Sequence, residues 1–110
     1  MIRGTPTAGP DVFGAIADPS RRAILGLLSG GEMPVKDIAR RFDVTRPAVA
    51  KHLRVLERVR LVEARRSGRE RLYRLDARPL REVRDWLRAY ERFWEARLFR
   101  LKSRVEGGKR

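Results

Sequence analysis

The sequence predicts a mainly α fold that carries one small β-hairpin wing. Three observations predict it. Two amphipathic helical stretches, PVKDIARRF and RPAVAKHLRVLERV, are separated by little more than Asp43-Val44, the arrangement of a helix-turn-helix. Directly after them, two short segments of partial alternation flank Ser67-Gly68, as in a hairpin. Apolar residues then recur at steps of three or four from Leu80 to Val105, which reads as one long helix. The combination is a winged helix-turn-helix with a long C-terminal dimerisation helix.

Length and charge narrow the class of partner. A chain of 110 residues suits one domain with a single modest core. It holds 27 Lys plus Arg against 14 Asp plus Glu, a formal charge of +13. Such an excess points to a polyanion, most simply nucleic acid; the plainer alternative is a generally basic surface. Nearly all of the positive charge is Arg, since Lys occurs only at Lys36, Lys51, Lys102 and Lys109. The absence of Cys excludes disulfides, thiolate metal sites and thiol redox chemistry. It fits a cytoplasmic protein. No run of about 18 apolar residues predicts a transmembrane helix, and MIRGTPTAGPDVF has no apolar region of a secretory signal. With one His, no Cys and carboxylates interleaved with Arg, no nucleophile–base pair stands out, so an enzyme is not expected.

The elements follow in order. Residues 1–10 read as a disordered lead, given Gly4, Pro6, Gly9 and Pro10. DVFGAIAD places Val12, Phe13, Ile16 and Ala17 at helical spacing. Asp18-Pro19 starts a second helix, with Asp as N-cap and Pro in the first helical position. That helix turns Ile24, Leu25, Leu27 and Leu28 inward, and Gly30-Gly31 stop it. The third helix puts Val35, Ile38, Ala39 and Phe42 on one face. The fourth begins after Thr45 as N-cap, with Pro47 in the first turn, where its missing N–H costs little. The wing closes a DNA-binding region of residues 11–77. The last helix, residues 78–106, starts near Arg78 with Asp76 as its cap, and residues 107–110 form a charged tail.

Position by position, the helix-turn-helix is consistent. Small Ala39 sits where the two helices approach, and Asp43 stands where Gly often lies, tolerating a left-handed backbone better than most residues. Val49, Leu53 and Leu56 fall in one narrow arc and define the core side of the fourth helix. The opposite side carries Pro47, Ala50, Lys51, Arg54 and Arg58, with Arg46 near the N-terminus. In a recognition helix that end enters the major groove. Arg can bond guanine bidentately, Lys can reach guanine or phosphate, and Pro47 and Ala50 permit close approach to a thymine methyl. The plain reading of Arg46, Lys51 and Arg54 is a solvated face. The turn, the apolar inner face and the basic wing favour DNA. In the wing, Arg66 and Arg69 are placed to meet phosphate, with Arg65 and Arg71 beside them; the alternative is a charged turn that blunts a sheet edge.

The stretches ADPSRRAILGLLSGGEMPVKDIARRFDVTRPAVAKHLRVLE and LVEARRSGRERLYRL resemble the ArsR/SmtB family of winged-helix bacterial repressors. YERFWEARL resembles the final helix of its metal-independent members. The resemblance implies a dimeric repressor that binds a short inverted repeat in double-stranded DNA, with the helix starting at Thr45 as reader and Arg46, Ala50, Lys51 and Arg54 facing DNA. Metal-sensing members carry a Cys-Val-Cys-type motif on the third helix, where this chain has MPVKDIARRF without Cys or His. The final helix has Asp85, Glu91 and Glu95 but no His. No metal site and no cofactor are therefore expected. A second departure is Val59-Arg60-Leu61-Val62 where many relatives have Ala-Gly-Leu-Val, which removes the easy left-handed stop of the recognition helix.

The last helix carries Leu80, Val83, Leu87, Tyr90, Trp94 and Leu98 as a coiled-coil-like seam, widened by Trp86 and Phe93. About 25 residues span roughly 38 Å, which suggests a partner helix from a second copy, joined by Phe13 and Ile16. The alternative is that the helix folds back on its own domain. A two-fold dimer sets its recognition helices roughly 34 Å apart, on a near-palindromic site. Two other function classes stay open: a protein-interaction module built on Trp86, Tyr90, Phe93 and Trp94, and an RNA-associated winged helix. His52, the only histidine, lies near the Val49–Leu56 side. It reads as a half-buried packing residue, with phosphate contact or metal ligation as alternatives. The inducing signal and the target genes leave no mark on the sequence.

Overall fold

The computed structural model describes residues 11–95 and 97. Asp11 opens the first helix, α1 (Val12–Ile16), its carboxylate accepting the N–H of Gly14 at 2.7 Å. Asp18 caps α2 (Pro19–Leu28) in the same way, accepting from Arg21 at 3.0 Å with Pro19 in the first turn. Two arginines of α2 reach back to α1. The Nε of Arg21 donates to the carbonyl of Ala15 at 2.6 Å, and an Nη1 of Arg22 to that of Ile16 at 2.7 Å. These bonds satisfy carbonyls that the short α1 leaves without helical partners.

The chain then forms β1 (Met33–Pro34), α3 (Val35–Phe42), α4 (Arg46–Arg58), β2 (Val62–Ser67), β3 (Glu70–Leu75) and α5 (Leu80–Arg88). The strands make an antiparallel sheet in the order β1-β3-β2. Strand β1 is an element the hydropathy pattern does not show. Its two residues pair Met33 with Tyr73 and Pro34 with Leu72, so the wing is stitched to the start of α3. The hairpin register pairs Ser67 with Glu70, which places the turn at Gly68-Arg69, one residue beyond the expected Ser67-Gly68. Gly68 takes a φ of 63°, a conformation that suits glycine in a two-residue hairpin turn.

The core draws on every helix from α1 to α4 and on the base of the wing. Ile24, Ile38, Val49, Leu53, Leu56 and Leu61 are its largest fully buried side chains. Truncating any one of these leucines or isoleucines to Ala costs about 2–5 kcal/mol. Phe42 departs from expectation. Although it shares a face with Ile38 and Ala39, it is 37% exposed, because it sits at the open end of α3. Leu27 is half-buried, whereas Ile24, Leu25 and Leu28 are buried.

The last helix differs from the expected single helix of residues 78–106 in two respects. It begins at Leu80, and Asp76 does not cap it: the N–H of Leu80 goes to the carbonyl of Ala77 at 2.9 Å. Asp76 instead holds Arg78, accepting its backbone N–H at 3.1 Å and its guanidinium at 2.6–3.1 Å. The helix then breaks at Ala89-Tyr90, and residues 91–95 are helical again. At the break the bonds tighten to three-residue spacing, Ala89 to Trp86 and Tyr90 to Leu87. Aromatic residues, which lose rotamer freedom in a helix, crowd this point. The described residues fall into two compact units, one through Leu80 and one from Arg81 onward. Leu98 and the rest of the expected seam lie outside the described residues.

Candidate nucleic-acid interface

The turn between α3 and α4 has the form the sequence calls for. Asp43 adopts φ 53° and ψ 47°, the left-handed region. The N–H of Val44 donates to the carbonyl of Ala39 at 3.1 Å, and that of Asp43 to Arg40 at 3.4 Å. This pair of bonds is a Schellman closure. Thr45 then caps α4, its hydroxyl accepting the N–H of Ala48 at 3.3 Å.

Val49, Leu53 and Leu56 pin α4 to the core at 0–1% exposure. That fixes which side of the helix faces out. Thr45, Arg46, Pro47, Lys51 and Arg54 are exposed, and Ala50 is half-buried. The far end of α4 ends without the glycine that the family pattern prefers. Arg60 takes the left-handed place at φ 64°. The N–H of Leu61 bonds the carbonyl of Leu56 and that of Arg60 bonds Glu57, both at 3.0 Å. The helix end is therefore a second Schellman closure, with Leu56 and Leu61 fully buried as its apolar contact. The wing leaves from a fixed point: the N–H of Asp76 donates to Leu61 at 2.8 Å across its base.

The basic residues divide into two groups that the sequence does not separate. Arg65, Arg71, Arg74 and Arg78 are engaged by Glu32, Glu57, Glu63 and Asp76 respectively. The Arg65 hydrogen bonds hold the Glu32 carboxyl below the usual carboxylate range, and Glu32 raises Arg65 in turn. Hydrogen bonds from the Arg78 guanidinium, followed by its backbone N–H, hold Asp76 down at about 2. Among the described residues, Arg46, Lys51, Arg54, Arg66 and Arg69 make no such pair, and all five are exposed. These five include every cation expected to face DNA. Arg65 and Arg71, which sequence reasoning placed with Arg66 and Arg69 in the wing, belong to the paired group. The signal for that was faint, because Glu32 lies 33 positions from Arg65.

His52 is half-buried. It lines a cleft of about 250 Å³ with Ser20, Ala23, Ile24, Phe42, Val44, Ala48 and Val49. Its Nδ1 is buried there without a protein partner. Among the described residues no three His, Asp or Glu side chains converge as metal ligands, and no helix is long and apolar enough to cross a membrane. Phe13 and Ile16 are half-buried, as are Leu80, Val83 and Leu87, whereas Trp86, Tyr90, Phe93 and Trp94 are exposed. Trp86 and Tyr90 meet edge-on, ring centroids 5.4 Å apart.

Comparison with known proteins agrees with this geometry. Residues 16–65 match a family model described as a helix-turn-helix domain. Over 77 residues the chain is 38% identical to the transcriptional repressor SdpR of Bacillus subtilis, covering 70% of this chain and 86% of that one. A crystal structure of an ArsR family transcriptional regulator, RHA00566, superposes with a TM-score of 0.66 at 37% identity, covering 76% of this chain and 91% of that one. A homodimeric winged helix-turn-helix DNA-binding domain from Mycobacterium bovis, Mb0332, superposes with a TM-score of 0.61 at 33% identity, covering 73% and 76%.

Proposed function

The chain belongs to the ArsR/SmtB family of winged helix-turn-helix transcriptional regulators, and from that premise we propose that it is a homodimeric repressor reading a short inverted repeat in double-stranded DNA. The observation that carries the proposal is the division of the cations. Among the described residues, five exposed cations without an ion pair, Arg46, Lys51, Arg54, Arg66 and Arg69, lie on the outer side of α4 and at the wing tip, while Arg65, Arg71 and Arg74 of the same hairpin are held by carboxylates. Charge left free on a reading helix and a wing is the footprint of a nucleic-acid contact. Arg46, at the N-terminus of α4, is assigned to base edges, with Pro47 and Ala50 allowing close approach. Lys51 and Arg54 follow along the same helix, and Arg66 and Arg69 meet the phosphate backbone. Thr45 holds the start of the helix. His52 acts as a packing residue rather than a base contact.

Dimerisation is supported by the aromatic face of the second unit. Trp86, Tyr90, Phe93 and Trp94 are 44–62% exposed, and a cluster of that kind marks a contact surface. The Mycobacterium bovis relative is described as homodimeric. Phe13, Ile16, Leu80, Val83, Leu87 and Leu98 are assigned to the same interface. A metal-sensing role is not proposed, because a chain with no Cys and one His offers no soft ligand set. The same scarcity argues against an enzyme.

The test is a gel shift with duplex DNA from the region upstream of the chain's own gene. Sharp, salt-sensitive binding to one inverted repeat is the expected result. Equal binding to random DNA and to RNA contradicts it.

A further inference from the structure

We propose that Glu70 attenuates binding to duplex DNA, a carboxylate set in the cleft between the reading helix and the wing that lowers affinity for the phosphate backbone. The inference rests on the reading of the chain as a DNA-binding regulator. Glu70 opens strand β3, and the ladder that pairs Pro34 with Leu72 brings Lys36 to it. The Nζ of Lys36 and the Oε1 of Glu70 lie 2.5 Å apart. Both side chains are more than two-fifths exposed, and an exposed pair of this kind adds little to stability. Its effect falls on what approaches from outside.

The pair lines a cleft of about 450 Å³ that also holds Arg46 and Arg71, with Pro34 and Tyr73. This cleft joins the N-terminus of the reading helix to the wing. Without Glu70 it presents Lys36 and Arg46, beside Arg71 already held by Glu57, to an incoming phosphate backbone. Glu70 pairs with Lys36 and so lowers the net charge of the cleft by one. Every duplex meets that loss of positive charge, so Glu70 lowers affinity for duplex DNA as a whole. Glu63 is a matched control. It is also a hairpin glutamate paired with an arginine, Arg74, at 2.7 Å, but it lies in a separate cleft with Glu57, Arg60, Asp76 and Arg78.

The experiment measures binding of the full chain to a fluorescent random-sequence duplex between 50 and 200 mM salt, for wild type, Glu70→Gln and Glu63→Gln. Releasing Lys36 adds about one phosphate contact, which steepens the log–log salt slope by about 0.9. Glu70→Gln is therefore expected to lose about threefold more affinity than wild type across that range, and to bind the random duplex at least threefold tighter at the low-salt end. Glu63→Gln should match wild type. The proposal is overturned if Glu70→Gln matches wild type, or if both variants change equally, since a shared change reflects net charge alone. If wild type shows no salt-dependent duplex binding, the DNA-binding reading itself fails.

Discussion

The backbone N–H of Leu61 donates to the carbonyl of Leu56 at 3.0 Å, and this bond ends the reading helix with Arg60 in a left-handed conformation. A non-glycine residue there costs about 1–2 kcal/mol, and glycine gives back about 0.5–1 kcal/mol in chain entropy. Arg60→Gly should therefore stabilise the fold by about 0.5–1 kcal/mol, a rise of a few degrees in melting temperature. Arg60→Val should lower it. Thermal melts of the two variants check the assignment of the wing's departure point.

The division of cations predicts unequal effects within the wing. Arg69→Ala should weaken binding to all duplexes and flatten the salt slope by about 0.9. Arg74→Ala, whose guanidinium is bound to Glu63, should leave the slope near that of wild type. Arg46→Ala should relax sequence choice more than it weakens binding to random DNA. Titrations of each variant against salt and sequence measure these differences.

His52 should tolerate an apolar replacement. Its Nδ1 is buried in a largely apolar cleft without a protein partner, and replacing such a group removes a desolvation cost of about 1–3 kcal/mol. His52→Leu is expected to keep or raise the melting temperature and to keep DNA affinity. A loss of affinity with an intact fold would instead make His52 a DNA contact.

Asp76 gives the fold a pH dependence in the acid range. Its folded pKa is depressed to about 2, against about 3.9 for an unfolded chain. A depressed carboxylate contributes stability that is fully present above the unfolded pKa and is lost as pH falls through the folded one. The contribution should hold at pH 5 and above and fade between roughly pH 4 and pH 2. Asp76→Asn should be less stable than wild type at pH 7, with the gap closing toward pH 2. Denaturant midpoints across that range report it.

Much of the reading unit was legible from local chemistry. Asp18 before Pro19, Thr45 before Arg46, and Asp43 in the turn each act on their immediate neighbours, and the structure places each as the sequence implies. The inward arc of Val49, Leu53 and Leu56 follows from helical geometry alone. What was not legible depends on distant partners. Strand β1 exists only because Met33 and Pro34 find β3, some forty residues on. The choice of Arg65 as a paired residue and Arg66 as a free one depends on Glu32. The exposure of Phe42 and the break at Ala89-Tyr90 depend on what each helix meets at its end, which periodicity does not record.

The most direct test of a two-fold reader is selection of binding sites from a pool of random duplexes, with the bound fraction sequenced. The expected result is one near-palindromic site whose half-sites are centred about one helical turn apart, roughly 10 bp. Recovery of unenriched sequences, or of a motif without two-fold symmetry, would contradict it.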